Sequence, residues 1–515
     1  MTAVQTTLEA LAGTLPLILT TLAALLAVVL LQNFVSKSAL KGIPVIGEGL
    51  GNDEKKRQVY LERAVDIYLE GYKKVVPSKF TVIVIPPKYL EELRKLPDDV
   101  VNANDAADQF MHTKYLKLVD GEPLQALTQT VKNSLTPALA KLNPVIKEEV
   151  KESMRRELPP CDDWTVVNIR ERLLRIVSLA SGRIFVGPEI SRTEEYLDAT
   201  INYTVELMTA RDAVDGMRPW LRPFLANRLP EIKKLDQRLV QADKLLQPIV
   251  AARAAMKVGE KPNDMLQWIM DSQDKFHEFS TRELARMQLH VSFAAIHTTT
   301  LIATNVFYNL AGYPQYIPEL RDEIRTTLAQ HNGEFSSMAL LDMKKLDSFL
   351  RETMRLYPVS ASSFVRKVNK MITLSNGQII PAGVIIEVPA VAIARDPEVF
   401  QDADKFMPWR FAHMREQAKA AGKVEAAAQN QFVSLDTQLL TFGYGRHACP
   451  GRYFAGNEVK MIVANFIMQY DMKLPDGVKE RHPNHWFGAF VSSPSTNFEG
   501  TTLTRCSVFR IQRRQ

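Results

Sequence analysis

Apolar residues recur at three- and four-residue spacing through most of the chain between residues 52 and 350, a pattern that is typical of amphipathic helices. The clearest such runs are Val166–Val177, Tyr196–Thr209 and Ile232–Ala255. Strand-like patterns are fewer: we expect a strand at Phe80–Ile85 and a hairpin over Met371–Val388, turning at Asn376-Gly377. The pattern therefore predicts a mainly α fold with minor β.

The longest helical pattern runs from Ser280 to Gly312. Ser280 and Glu283 have the spacing of a capping box, and Gly312 followed by Pro314 provides a stop signal. The stretch 293–296, Phe-Ala-Ala-Ile, is apolar on every side of the helix. We therefore expect the middle of this helix to be buried.

The N-terminal region has a different pattern, because no charged residue occurs between Ala10 and Ser36. This run is long enough to cross a bilayer, and the absence of a basic start argues against a secretory signal peptide. Lys37 and Lys41 follow it, which places the body of the protein on the cytoplasmic face. We predict a retained anchor over 10–36, a Pro/Gly hinge over 37–51 and a catalytic body over 52–515; a cleaved targeting segment is the alternative.

Composition excludes several classes of protein. With 46% hydrophobic and 24% charged residues, the 515-residue chain has ordinary globular usage and can bury a large core. A net charge of +6 is too weak for a typical nucleic-acid-binding surface. The cysteines, at 161, 449 and 506, show no CxxC spacing, so neither a disulfide framework nor a structural zinc site is predicted.

The densest group of candidate functional residues surrounds Cys449. Glycines lie on both sides of it, so the backbone can fold tightly around the sulfur, and Arg446, His447 and Arg452 add basic charge. A helix pattern over Phe454–Met468 begins just afterwards, which places the sulfur near a helix N-terminus. Both features predict a lowered thiol pKa.

The same stretch resembles the signature of the cytochrome P450 family, Phe-x-x-Gly-x-Arg-x-Cys-x-Gly. Phe442, Gly445, Cys449 and Gly451 match it. The resemblance implies the P450 fold and makes Cys449 the proximal ligand of haem b iron. The family's arginine is replaced by His447, with Arg446 beside it, so either side chain is a candidate for contacting a haem propionate.

A second match lies upstream, at Glu352 and Arg355. The Glu-x-x-Arg spacing alone has little value, because Glu91, Glu152 and Glu283 each begin the same pattern. The apolar helix around Glu352 and the later Phe-x-Pro-x-Arg-Phe element, which contains Arg410, distinguish this pair. By resemblance, Glu352, Arg355 and Arg410 form a structural network behind the haem.

The long helix carries a weaker match at 294–299, where the family has Ala/Gly-Gly-x-Asp/Glu-Thr-Thr. Thr298 occupies the position whose hydroxyl the family uses to hydrogen-bond dioxygen, and His297 replaces the acid. Thr298 is therefore a candidate catalytic residue. His297 is a second candidate, because histidine can relay protons near neutral pH. Arg366 and Lys132 are further candidates for the propionates, in positions similar to those the family uses.

The resemblance implies a haem-thiolate monooxygenase that inserts one oxygen atom from O2 into a lipophilic small molecule. Electrons would come from NADPH through a cytochrome P450 reductase, at the endoplasmic reticulum membrane and in contact with lipid. The chain looks similar to fungal membrane-bound members that oxidise terpenoids and related secondary metabolites, including ent-kaurene oxidases. By analogy, the pocket walls are 105–118, 204–212, the 290s, 359–364 and 486–491.

Three other functions remain open on the sequence alone. A haem-thiolate isomerase or dehydratase would need no external electrons, and the altered residues at 295 and 297 are compatible with it. A haem-binding sensor or carrier would use the same ligand without turnover. A thiol hydrolase would use His447 as the base for Cys449, but it would leave the glycines and the Glu352–Arg355 pair unexplained.

Overall fold

The computed structural model describes residues 53–72, 76–79, 82–257, 259–481, 483–492 and 508–514, with a few isolated helical positions between 20 and 27. The predicted anchor, apart from those positions, and the hinge lie outside the described residues. Among the helices in the described ranges, none is both long and apolar enough to span a bilayer.

Helices dominate the described body, as the apolar spacing predicts. Their bounds are α1 Asp53–Gly71, α2 Leu90–Leu93, α3 Ala103–Met111, α4 Thr113–Leu116, α5 Gly121–Thr130, α6 Thr136–Glu157, α7 Ile169–Phe185, α8 Glu194–Asp215, α9 Arg222–Leu225, α10 Pro230–Ala254, α11 Met265–Met270, α12 Thr281–Gly312, α13 Ile317–Gln330, α14 Ser337–Asp342, α15 Lys344–Leu356, α16 Ala390–Ala394, α17 Arg410–Ala420, α18 Val424–Gln429 and α19 Arg452–Gln469. A π-helical segment, Val131–Leu135, joins α5 to α6.

The strands are short: β1 Val76–Lys79, β2 Val82–Val84, β3 Val101–Asn102, β4 Thr165–Asn168, β5 Ser363–Val368, β6 Ile372–Thr373, β7 Ile379–Ile380, β8 Ile385–Val388, β9 Tyr470–Lys473, β10 His485–Phe487, β11 Phe490–Ser492 and β12 Val508–Arg513. A five-stranded sheet has the order β1-β2-β8-β5-β3, in which β2 and β8 are parallel and the other pairs antiparallel. A three-stranded sheet has the order β4-β12-β9, and two hairpins pair β6 with β7 and β10 with β11.

Two elements differ from the sequence prediction. The run predicted as one helix over Val166–Val177 begins as β4, because residues 165–168 pair with β12, and the helix starts at Ile169. The hairpin predicted over Met371–Val388 is limited to β6 and β7, with Gly377 at φ 83° in the turn. Its expected second strand continues as β8, which joins the large sheet between β2 and β5.

Helix α12 lies at the centre of the helical body and packs against α7, α8, α10, α15 and α19. Its predicted capping box is confirmed, since Ser280 and Glu283 satisfy each other's backbone N–H groups. The expected burial of 293–296 is wrong for Ala294, which is exposed, whereas Ile296 is buried. Ala294 and Thr298 are four residues apart and both exposed, so this face of the helix borders accessible space.

Candidate active site

The loop before α19 folds back on itself around Cys449. The Cys449 amide donates to the Phe442 carbonyl at 2.8 Å, which closes the loop. Gly443 and Gly445 have φ values of 74° and 75°, a left-handed conformation that glycine adopts without a steric cost. Leu440 belongs to the apolar cluster of the large sheet and Phe442 to the helical core, so the loop lies where the two cores meet.

The Cys449 side chain is solvent-accessible although protein surrounds it on most sides. Burial raises the pKa of its thiol above the ordinary value. The backbone N–H groups of Gly451 and Arg452 and the Arg452 charge act in the opposite direction, but burial outweighs them. The lowered pKa expected from the sequence is therefore wrong for the protein alone.

The Cys449 thiol suits haem iron as a ligand, because coordination to a cation deprotonates a thiol outright. The iron would supply the positive charge that offsets the cost of burying the thiolate. The sulfur is accessible, is held by a closed loop and receives two backbone N–H groups. Helix α19, which follows the cysteine, packs against α12, with the Phe307 and Phe466 rings 4.7 Å apart. The helix that carries Thr298 is thereby linked to the one that begins beside Cys449.

The structure brings Glu352, Arg355 and Arg410 together in one buried network. Glu352 accepts two hydrogen bonds from Arg355, at 2.8 and 2.9 Å, and a third from Arg410 Nε at 3.2 Å. Glu352 and Arg355 are 0% exposed. Arg355 also donates to the carbonyl oxygens of Ala394, Ala403 and Lys405, and Arg410 donates to those of Gln401 and Asp402. The network thus fastens α15 to the segment that precedes α17.

Sequence reasoning missed Asp347 and Ser348, which extend this network. Asp347 pairs with Lys460 of α19 at 2.5 Å and accepts the amide of Phe432 at 2.8 Å. The Ser348 hydroxyl accepts the amides of Phe411 and of the next residue, which caps the first turn of α17. Their helical setting gave no signal, because an acid or a serine on an amphipathic helix is ordinarily solvated.

Three of the predicted propionate residues line one small cleft: Arg366, Arg446 and His447. Arg366 is buried, its guanidinium lies over the Phe364 ring at 4.1 Å, and burial lowers its pKa to about 10. Asp98, which the sequence did not single out, accepts from His447 Nε2 at 2.8 Å and pairs with Arg446 at 3.2 Å. The cleft therefore holds several nitrogen donors, and two of them, on Arg446 and His447, contact the Asp98 carboxylate.

Lys132 is not among the residues that line this cleft. It is exposed on the π-helical segment 131–135 and makes no hydrogen bond or ion pair within the described part of the chain. Its predicted contact with a propionate stays a prediction.

The two candidate catalytic residues of α12 have different surroundings. Thr298 is exposed, and its hydroxyl donates to the Ala294 carbonyl at 2.7 Å. His297 is partly buried, and its Nε2 lies 2.9 Å from the carbonyl oxygen of Ile201 on α8. Burial lowers the pKa of the His297 imidazole below its ordinary value.

Comparison with known proteins agrees with this geometry. A model of the cytochrome P450 family matches residues 39–499, so the chain belongs to the cytochrome P450 family. It is 39% identical to cytochrome P450 monooxygenase ATR3 of Stachybotrys chlorohalonatus, over 79% of this chain and 85% of the relative. It is 35% identical to cytochrome P450 monooxygenase AN1598 of Emericella nidulans, over 88% and 87% of the two chains.

A third relative covers nearly the whole length: cytochrome P450 monooxygenase braC of Annulohypoxylon truncatum, 32% identical over 92% of this chain and 95% of that protein. The protein is therefore an enzyme of the cytochrome P450 monooxygenase family. Membership implies haem iron as cofactor, with O2 and a small molecule as substrates.

Proposed function

We propose that the protein inserts one oxygen atom from O2 into a lipophilic small molecule, with electrons supplied by NADPH through a cytochrome P450 reductase. The observation that carries the proposal is the accessible sulfur of Cys449, held in a closed glycine-containing loop. Thiolate-ligated haem iron supplies the chemistry that cleaves the oxygen–oxygen bond. The chain's own residues would bind that group and hold a proton beside it.

Each group of residues has a part in this proposal. Cys449 would donate its sulfur, the Phe442 carbonyl accepts the Cys449 amide, Gly445 adopts the positive φ of the loop, and Gly451 lies at the N-terminus of α19. Arg366, Arg446 and His447 would bind the propionates from their shared cleft, with Lys132 as a further candidate. The network of Glu352, Arg355 and Arg410 holds the structure behind the loop in place.

Thr298 would hold a proton at its Oγ1 atom beside the substrate. Its hydroxyl is accessible in the middle of a helix that is otherwise largely buried. The hydroxyl hydrogen is donated to the Ala294 carbonyl, so the oxygen can still accept a hydrogen bond from a molecule in the pocket. A rotation about one bond would turn the hydrogen toward that molecule.

We further propose a lipophilic substrate of terpenoid type. Three of the expected pocket walls meet at Phe110: its ring lies 5.6 Å from that of Phe490 and 4.3 Å from the Arg211 guanidinium. The two aromatic rings give this part of the wall an apolar surface, which suits a hydrocarbon skeleton. The uncharged run 10–36, followed by Lys37, supports an anchor in the endoplasmic reticulum membrane with the catalytic body facing the cytoplasm.

Replacement of the proposed ligand tests the chemistry. In Cys449→Ser, the reduced protein with carbon monoxide should lose the thiolate-type Soret shift, because a hydroxyl donates far less electron density. Cys161→Ser is the matched control. The Cys161 thiol is buried and donates a hydrogen bond to the Pro159 carbonyl, so its loss should leave the spectrum unchanged. A thiolate-type shift that persists in Cys449→Ser would refute the assignment.

Replacement of the hydroxyl tests the role of Thr298. Thr298→Ala should lower product formed per NADPH by up to about 100-fold and raise peroxide release, because a proton donor is lost. Thr298→Ser keeps the hydroxyl and should retain coupling. Equal coupling in the alanine variant and the wild type would remove Thr298 from the mechanism.

The requirement for electrons tests the reaction class. Product formed by the wild type without NADPH or reductase would favour an isomerase or dehydratase.

A further inference from the structure

His297 and Thr298 are adjacent in sequence but face different partners. Consecutive residues of an α-helix point about 100° apart. Thr298 faces accessible space, whereas His297 reaches sideways to helix α8, where its Nε2 lies 2.9 Å from the Ile201 carbonyl. The residue that replaces the family's acid is thus in contact with the backbone of the neighbouring helix.

The partner determines which nitrogen carries the hydrogen. A carbonyl oxygen only accepts, so Nε2 must be the donor. Burial lowers the imidazole pKa, and the positive charge of Arg170 on α7 lowers it further, while the Ile201 carbonyl raises it. The ring is therefore neutral at physiological pH, and its single N–H is committed to Ile201.

We propose that His297 is a positioning residue that ties the turn carrying Thr298 to helix α8, rather than a proton relay. This inference rests on the proposed function. Any relay would have to place a second proton on a ring that is largely buried near Arg170, and a relay from one ring nitrogen to the other would also have to break the hydrogen bond to Ile201. Both steps are unfavourable, since burial penalises the charged imidazole.

Through the other contacts of α8, the hydrogen bond between His297 and Ile201 affects the position of the pocket wall. Near its C-terminal end, Arg211 donates to the Phe110 carbonyl at 3.2 Å, and Asp215 lies 3.2 Å from His112 Nε2. Helix α8 is thereby bonded to the wall segment around Phe110 at one end and to α12 at Ile201. His297 therefore sets where the α8 wall lies relative to Thr298.

Two substitutions separate the roles. His297→Gln keeps an N–H donor at the same number of bonds from Cβ, whereas His297→Leu removes it. In the haem-loaded protein, hydrogen–deuterium exchange of peptides covering 199–207 should rise about three- to tenfold in the leucine variant, the effect of losing one hydrogen bond. The glutamine variant should stay within about twofold of wild type.

A matched control is His290→Leu. His290 lies two turns earlier on α12 and is also largely buried, and its Nδ1 has no hydrogen-bond partner among the described residues. Exchange over 199–207 should be unchanged in this variant. A rise equal to that of His297→Leu would overturn the proposal, because it would reflect the loss of any buried ring.

Peroxide release per NADPH, measured from pH 6 to 9, completes the test. Positioning predicts that His297→Gln retains coupling and pH profile while His297→Leu loses coupling. Glutamine cannot relay a proton, so coupling lost equally in both variants, with unchanged exchange, would overturn the proposal in favour of a relay.

The carbon monoxide spectrum separates failure of this inference from failure of the proposed function. Every variant should keep the thiolate-type spectrum. If the wild type lacks it, the proposed function fails instead.

Discussion

Two Glu-x-x-Arg pairs in this protein have the same spacing and the same bond length but opposite surroundings. Arg355 Nε donates to Glu352 Oε2 at 2.8 Å, and Arg155 Nε donates to Glu152 Oε2 at 2.8 Å. The first pair is 0% exposed, whereas the Arg155 and Glu152 side chains are 73% and 33% exposed. The Nε–Oε2 distance therefore does not distinguish the two pairs, whereas their burial does.

The difference lies in what else each arginine binds. Arg355 donates to three backbone carbonyls beyond Glu352, whereas Arg155 donates to the two carboxylate oxygens of Glu152. Removing one partner of a buried pair leaves a charge that water cannot reach. The same change at the surface leaves a solvated carboxylate, and surface pairs contribute little.

The largest effect should follow from Arg355→Ala. It strands the Glu352 carboxylate in the core and removes the donors of several carbonyls, so we expect a loss of about 3–5 kcal/mol in the free energy of unfolding. Urea unfolding of the haem-loaded protein measures it, and the haem content of the purified variant should fall as well. A loss as small as that of a surface pair would contradict the distinction between the two pairs.

A second buried glutamate shows what burial does without an arginine. Glu458 is 0% exposed, accepts from Ser181 Oγ at 2.9 Å, and has its pKa raised by burial from 4.5 to about 8. Between these values the folded state keeps a proton that the unfolded state releases. Stability from this group therefore falls as pH rises from 4.5 to 8, by about 1.4 kcal/mol per pH unit.

Glu458→Gln should remove that slope, because an amide has no proton to release. Urea unfolding at several pH values between 5 and 8 gives the difference between the variant and the wild type. Glu152→Gln, the exposed counterpart, should leave the slope in this range unchanged. If the glutamine variant at 458 keeps the wild-type slope, Glu458 is ionised in the core despite lacking an arginine.

The smallest effect should come from Arg155→Ala. Its carboxylate partner is rehydrated as soon as the guanidinium is removed, so the urea midpoint, haem content and carbon monoxide spectrum should match those of the wild type. A clear loss of stability here would mean that exposure is not what separates the two pairs.

The sequence predicted the elements whose signals are local. Helix α12 was predicted closely, because its capping box and its Gly312 stop are encoded within a few residues. Strand β4 was missed, since its pairing partner β12 lies more than 300 residues later and no local pattern encodes it. The assignment of 385–388 to a hairpin is wrong because these residues pair with β2, more than 300 residues earlier, as well as with the nearer strand β5.

The candidate site divides in the same way. The spacing around Cys449 predicts the site residues, which stay predictions, but the predicted direction of the thiol pKa is wrong, because the cost of burial depends on the whole surrounding fold. Asp98 was missed because its contact with His447 joins distant parts of the chain. Glu91 begins one of the Glu-x-x-Arg patterns that have little value in the sequence, and it is exposed, yet it also accepts a hydrogen bond from Tyr444.

The contacts of Asp98 and Glu91 with the cysteine loop have a consequence for the order of folding. They join positions 349 and 353 residues apart, so the early segment emerges from the ribosome long before its partners exist. Closing so large a loop is entropically costly and slow. The cysteine loop therefore acquires its outer contacts late, after most of the helical body has had time to form.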